Sequence, residues 1–226
     1  MSFNFAIITD NLPQILAGLR LTIILWLVGT VAGMALGFLL ALLQTSRHWQ
    51  IRLLVSVYQS IFRGTPFLVQ IFLLYYGGPL IGLMLSAEVA GVLGLALYSA
   101  AYFTEIFRAG FAAVHIGQTE AGRICGLSEF QILCHIQLPQ MMVTITPALI
   151  GMFIVMSKET AILSVMTVPD ITAVLSGIGS ATFTYVETLL TLVLCYWALV
   201  GLTTWVGAKV ERHMQRHLLP AQGKIA

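Results

Sequence analysis

The sequence predicts an all-α integral membrane protein of about five transmembrane helices, organised as a single domain over residues 1–226. Three observations predict it. Of the 226 residues 58% are hydrophobic and only 9% carry charge, where an average soluble domain carries about 25% charged residues. Mean hydropathy is +0.93, which leaves too little polar surface to cover a soluble globule and argues against a soluble enzyme, a disordered tail or a nucleic-acid-binding module. Five runs are each apolar over about 20 residues, the length that a hydrocarbon core roughly 30 Å thick requires.

Taken in order, the N-terminal MSFNFAIITDNLP has no positive n-region, so no cleaved signal is expected. Phe5, Ile8, Leu12, Ile15, Leu16 and Leu19 recur at roughly helical intervals around the caps Asp10 and Asn11. That pattern suits a short helix in the outer membrane interface, or else a frayed terminus. Span one runs from about Leu19 to Leu43 and carries Gly29, Gly33, Gly37 and Ala41 at four-residue spacing. Such a stripe admits close helix approach, either within the chain or at a subunit interface. Span two runs from near Leu53 to the turn at Gly77, Gly78 and Pro79, with Gly64 and Pro66 marking a helix break. Spans three and four cover about Val89 to Phe107 and Met141 to Leu163, and the last covers about Glu187 to Val206. Between the last two, residues 167–188 are rich in Gly, Ser and Thr and read as an extramembrane or re-entrant segment; if it crosses, six spans result.

The basic residues choose an orientation. Arg47 and Arg52 follow span one, Arg108 and Arg123 follow span three, and Lys209, Arg212, Arg216 and Lys224 follow the last. The opposite side holds Asp10, Glu88, Asp170 and Glu187, with Arg20 as its main cation, so the C-terminus is expected in the cytoplasm and the N-terminus outside. Cys125, Cys134 and Cys195 form no CxxC pair, and no histidine set completes a metal site. His115, His135, His213 and His217 are therefore expected in solvent or among headgroups. The aromatic residues near span ends, among them Trp26, Trp49, Tyr75, Tyr76, Trp197 and Trp205, suit core packing or interface anchoring.

One polar stretch, GQTEAGRICGLSEFQILCHIQLPQ from Gly117 to Gln140, cannot span. A short helix from about Gln118 can end at Gly126, and Ser128 with Gln131 has capping-box spacing for a second helix. Pro139 then marks the start of span four. Glu120, Ala121, Gly122, three residues, Gly126, nine residues, and then Ile136, Gln137, Leu138 and Pro139 resemble the EAA loop of importer-type ABC transporter permeases. Gly122 stands where the family usually has a second alanine; this weakens the short helix by about 1 kcal/mol and leaves it smaller at the docking face.

Three more segments resemble the polar amino acid permease family of the histidine and glutamine type. They are Phe62 to Pro66 with the following LVQIF, Ala101 to Arg108, and Lys158, Glu159 and Thr160, where Glu159, Thr160 and Ala161 replace the family's more frequent Asp-Thr-Ser. The resemblance covers nearly the whole chain. It implies a type I ABC importer permease fold with a cytoplasmic coupling-helix loop at about residues 111–139. It also implies translocation of a polar amino acid across a bacterial inner membrane by alternating access. The implied partners are a second permease subunit, identical or paralogous, two cytoplasmic ABC ATPase subunits and an extracytoplasmic amino acid binding protein. Gln118, Glu120, Ala121, Gly122, Gly126 and Leu127 are the expected ATPase-coupling residues. For Glu120 the alternative is a solvated pair with Arg123.

No G-x-x-x-x-G-K-[ST] motif occurs, so ATP and Mg2+ are expected on the partner subunits and no cofactor on this chain. An amino acid brings an ammonium and a carboxylate, and charges at membrane depth are the residues suited to meet them. Arg63, Tyr102, Glu105, Lys158, Glu159 and Thr160 are thus the candidate substrate residues, with structural ion pairing as their alternative role. A self-sufficient secondary amino acid transporter is the competing function, but five spans do not divide into two equal repeats. An intramembrane hydrolase lacks a base, since Ser164, Ser176 and Ser180 have no histidine in any span.

Overall fold

The computed structural model describes residues 6–218, and among these every regular element is helical. Phe5 and Lys224 lie outside the described residues, as do the side chains of Arg216 and His217. Helix α1 (Ala6–Asp10) is a single short turn, and α2 (Leu12–Gln44) follows at once. The expected separate interfacial helix is therefore replaced, from Leu12 onward, by the first turns of span one. Pro13 accounts for the start, because a proline in the first helical turn loses no hydrogen bond and presets φ. Asn11 does not cap α2; its Nδ2 donates back to the Ile7 carbonyl at 2.9 Å.

Helix α3 (Trp49–Gly64) and α4 (Phe67–Gly77) meet at 104°, so span two is broken. Thr65 is extended at φ −123° and ψ 147°, as a residue before proline prefers. The break frees backbone carbonyls, which in a bilayer must find donors. Gln70 supplies them: its Nε2 donates to the Phe62 and Thr65 carbonyls at 2.9 and 3.0 Å. A 3-10 turn, Gly78–Ile81, leads toward α5 (Ala87–Ala113).

Helices α2 and α5 form the closest pair. A Cβ added at Gly29 would lie 2.7 Å from Leu95 Cβ, one at Gly33 2.7 Å from the Ala96 carbonyl, and one at Gly37 2.6 Å from Phe103 Cβ. The small-residue stripe is thus used within the chain. Contacts advance together along both helices, so α2 and α5 run parallel, and the bent α3–α4 pair supplies the crossing that returns the chain between them. Among the described residues four helices are long and apolar enough to cross a membrane, and the bent pair, taken as one span, brings the number to five.

After α5 come α6 (Ile116–Ile124), α7 (Glu129–Ile132), a π-helical turn over Leu133–Gln137, and α8 (Leu138–Glu159). Pro139 does not separate two helices, because α7 continues through the π turn into α8. The wider turn absorbs a residue that lacks an N–H and would crowd the preceding carbonyls. Helix α8 runs antiparallel to α5, with Gly110 against Met141 and Ile145 and Gly91 against Leu163. It tightens into a 3-10 segment, Thr160–Met166.

The Gly, Ser and Thr-rich segment contains α9 (Ile171–Thr182). Its 12 residues extend about 18 Å, too short to cross a core roughly 30 Å thick. It packs through Ile171, Leu175 and Ile178 onto Ile15 of α2. Asp170 Oδ1 caps it by accepting from Ala173 N at 2.9 Å, and Ile171 N donates to Thr22 Oγ1 at 3.0 Å. The last helix, α10 (Tyr185–Leu218), packs against α8, with Gly207 beside Ile150 and Thr146 Oγ1 3.1 Å from Met214 Sδ.

Candidate functional site

The central charges of the sequence gather between α3 and α5. Helix α3 turns Arg52, Ser56, Gln59, Ser60 and Arg63 to one face at spacings of three and four residues, and α5 does the same with Tyr98, Tyr102, Glu105 and Arg108. Arg108 Nε donates to Glu105 Oε2 at 3.0 Å, and its Nη2 bonds the other carboxylate oxygen. Arg63 Nη1 lies 3.8 Å from Glu105 Oε2, and its guanidinium sits 5.7 Å from the Tyr102 ring centre. The Tyr98 and Tyr102 hydroxyls are 3.2 Å apart. Tyr58 and Gln59 tie the two helices together by donating to the Leu97 and Ala101 carbonyls at 2.5 and 3.5 Å.

A cavity of about 470 Å³ opens beside this cluster, lined by Ser56, Gln59, Ser60, Arg63, Gly64 and Tyr102. Arg63 and Glu105 retain 44% and 35% side-chain exposure. Two cations flank one carboxylate, and of these three Arg63 lines the cavity.

The remaining candidates divide. Glu159 is half-buried and follows Lys158 at the end of α8. Lys158 is exposed. Thr160 is fully buried and donates through Oγ1 to the Ser157 carbonyl at 2.8 Å, so its hydroxyl is occupied inside the bundle. Gln59 was not among the sequence candidates. Its place on the Arg52-to-Arg63 stripe was readable, but its contact with α5 was not.

The second functional surface is the loop around α6. His115 caps this helix, its Nδ1 accepting from Gly117 N at 3.1 Å. The helix closes in a Schellman turn: Leu127 N donates to the Gly122 carbonyl and Gly126 N to the Arg123 carbonyl, both at 3.0 Å, with Gly126 at φ 79°. Ser128 and Gln131 form the expected capping box. Arg123 does not pair with Glu120. It forms a bidentate bond to Glu129, with Nε–Oε1 at 2.7 Å and Nη2–Oε2 at 3.1 Å, which clamps the end of α6 to the start of α7. That bond holds the Glu129 carboxyl below its ordinary range. The clamp is therefore complete above the usual glutamate pKa and opens only as pH falls through the lowered value.

Gln118, Glu120, Ala121 and Gly126 are exposed and Leu127 is partly buried. Gly122 corrects the sequence reading. It is buried and faces inward, where an added Cβ would lie 2.9 Å from Ile136 Cδ1 and 3.2 Å from Ile132 Cγ1. The missing methyl group thus lets α6 lie close on α7 and the π turn, rather than trimming the outer face. That outer face carries exposed apolar side chains, with Ile124 at 87% and Phe130 at 73% exposure. Replacing Gly126 by alanine forces a side chain into the left-handed region at a cost of about 1 kcal/mol. The Gly126→Ala chain is expected to pull down less of a partner bound to this loop, measured by copurification.

The chain has relatives among known proteins and solved structures. The chain is similar to the arginine transport system permease protein ArtQ of Bacillus subtilis, 35% identical over 216 residues that span 95% of this chain and 99% of ArtQ. It is 33% identical over 201 residues to the putative glutamine transport system permease protein GlnP of Rickettsia typhi, covering 88% of this chain and 92% of that one. Among solved structures, a chain from the crystal structure of an amino acid ABC transporter with histidines superposes with a TM-score of 0.86 at 35% identity, covering 94% of this chain and 100% of that chain. A chain of the MetNI methionine ABC transporter, seen in inward-facing conformations, shares the fold at a TM-score of 0.70 and 19% identity, covering 93% and 99%. The family profile for the inner membrane component of binding-protein-dependent transport systems matches residues 29–216, and the chain belongs to that family.

Proposed function

We propose that the chain is the permease subunit of an ABC importer that carries a polar amino acid through the inner membrane by alternating access. The observation that carries this reading is the Arg63, Glu105 and Arg108 group beside its cavity. A carboxylate suits the substrate's ammonium, and a guanidinium fork suits its carboxylate. Tyr102 walls the cavity, and Glu159 with Lys158 adds charge at the end of α8. Thr160 contributes by packing the turn that holds them. Relatives named for arginine and glutamine transport support a polar amino acid as cargo.

Two ATPase subunits dock on the α6 loops of this chain and of a second permease, identical or paralogous. ATP and Mg2+ stay on those subunits, and a binding protein delivers the substrate from outside. Glu120, Gln118 and Ala121 face the ATPase, Gly126 and Leu127 shape the turn behind them, and Gly122 seats the helix. Closure of the ATPases then moves α5 and α8 as levers. The N-terminus lies outside and the C-terminus in the cytoplasm, as the basic residues favour.

The test is reconstitution in liposomes with ATPase, binding protein and amino acid. ATP hydrolysis is expected to rise only when binding protein and substrate are both present. Transport by this chain alone, driven by an ion gradient, overturns the reading. Orientation has its own check in Cys125, which is exposed on the α6 loop. A membrane-impermeant maleimide is expected to label it in inside-out vesicles but not in intact cells, and docked ATPase is expected to protect it.

A further inference from the structure

A second cavity, of about 250 Å³, lies on the same α3–α5 face and is lined by Ala41, Gln44, Thr45, Arg52, Arg108 and Phe111. Arg52 stands 11 residues before Arg63 on the stripe that lines the larger cavity, three turns of α3. One hydrogen bond joins the linings of the two cavities: Gln44 Nε2 donates to Gln59 Oε1 at 2.5 Å. On the same face Arg108 holds Glu105. Gln59 belongs to the lining of the larger cavity, and Gln44 and Arg108 to that of the smaller. The two linings thus share polar groups that a charged substrate can compete for.

The smaller cavity has the groups that a substrate carboxylate needs. Arg52 uses one nitrogen on the Ser46 carbonyl at 3.0 Å and keeps donors free, and Arg108 is bound only through the Glu105 carboxylate. Gln44 Oε1 is buried and accepts no hydrogen bond, although a buried acceptor ordinarily finds a donor. Arg52 and Arg108 both line the cavity, and two guanidinium groups can take a carboxylate.

We propose that this cavity is a release subsite for the amino acid, reached when the substrate ammonium takes Glu105 from Arg108 and the freed guanidinium joins Arg52 in drawing the carboxylate onward. The proposal rests on the function proposed above. It assigns Arg52 and Gln44, which the larger cavity does not use, to the last step before the cytoplasm. Occupation of the subsite from the cytoplasmic side blocks the next molecule, so accumulated product slows import.

The experiment uses the complete reconstituted complex with radiolabelled arginine and glutamine tested in parallel. For Arg52→Gln, the product concentration that halves import is expected to rise about tenfold and the maximal import rate to fall by a similar factor, as loss of one charge-assisted bond implies. The external concentration giving half-maximal ATPase stimulation stays unchanged, and Arg52→Lys recovers most of the rate. Gln44→Leu, which removes the bond to Gln59 and roughly keeps the volume, reports independently and is expected to weaken product inhibition in the same direction. If both variants keep wild-type product inhibition and rate while Glu105→Gln stops import, the release subsite is wrong and the larger cavity stands. If Arg63→Gln and Glu105→Gln also import normally, the function of the larger cavity falls with it.

Discussion

Replacing Glu105 by glutamine is expected to cut ATP-driven import about ten- to hundredfold while the complex still assembles. Glu105 is the one carboxylate between Arg63 and Arg108, and glutamine keeps the shape but removes the charge that both guanidinium groups share. A hydrogen bond to a charged group contributes about 1.5 to 3 kcal/mol, which corresponds to that range of rate or affinity. The side chain is one-third exposed, so the fold does not depend on it. Binding-protein-stimulated ATP hydrolysis and import are both expected to fall, whereas copurification with the ATPase is not. Wild-type import by Glu105→Gln removes this residue from the transport path. Glu105→Asp, one methylene shorter, is expected to recover part of the activity and so to separate charge from packing.

Replacing Gly33 by leucine is expected to have the largest effect on stability. A Cβ at this position already meets the Ala96 backbone carbonyl at 2.7 Å and would overlap Ser99 Oγ. Backbone does not move aside as a flexible side-chain end does, so α2 and α5 must separate. Overpacking a tight contact costs about 1 to 3 kcal/mol, and here the cost spreads to Gly29 and Gly37 on the same seam. In a bilayer, close approach of small residues is itself a main source of helix association. The expected outcome is a large loss of monodisperse protein in detergent, measured by thermal challenge and size-exclusion chromatography. Gly151→Ala, at a position with open space, is the control expected to behave as wild type.

Features written as short-range patterns were legible in the sequence. The four-residue stripe of span one gave the α2–α5 seam, Gly64 and Pro66 gave the break, and Gly126, Ser128 and Gln131 gave the turn of the α6 loop. Pairings that reach beyond one helix were not legible. Gln44 meets Gln59 through a hydrogen bond, and Arg123 chooses Glu129 over Glu120 because the turn brings α7 back. Gly122 read as outward because a helical repeat alone does not say which face the following segment covers. Helix α9 was hidden by its Gly, Ser and Thr content, although Asp170 as a cap and apolar residues at 171, 175 and 178 form a helical signature. For the site, the charged residues were identifiable by type, since few charges occur at membrane depth. Their grouping around Glu105 depended on how α3 tilts against α5.

The bond from Ile171 N to Thr22 Oγ1 spans 149 positions in the chain, and Trp26 Nε1 to the Phe153 carbonyl spans 127. The first long helix to leave a ribosome therefore waits for its partners until most of the protein has been made. Until then the Trp26 N–H has no Phe153 carbonyl to meet, whereas the Thr22 hydroxyl is already held by the Gly18 carbonyl at 3.0 Å. Such distant closures are slow steps of assembly, so production of this protein is expected to be more sensitive to interruption near its C-terminal end than the mild composition of α9 suggests.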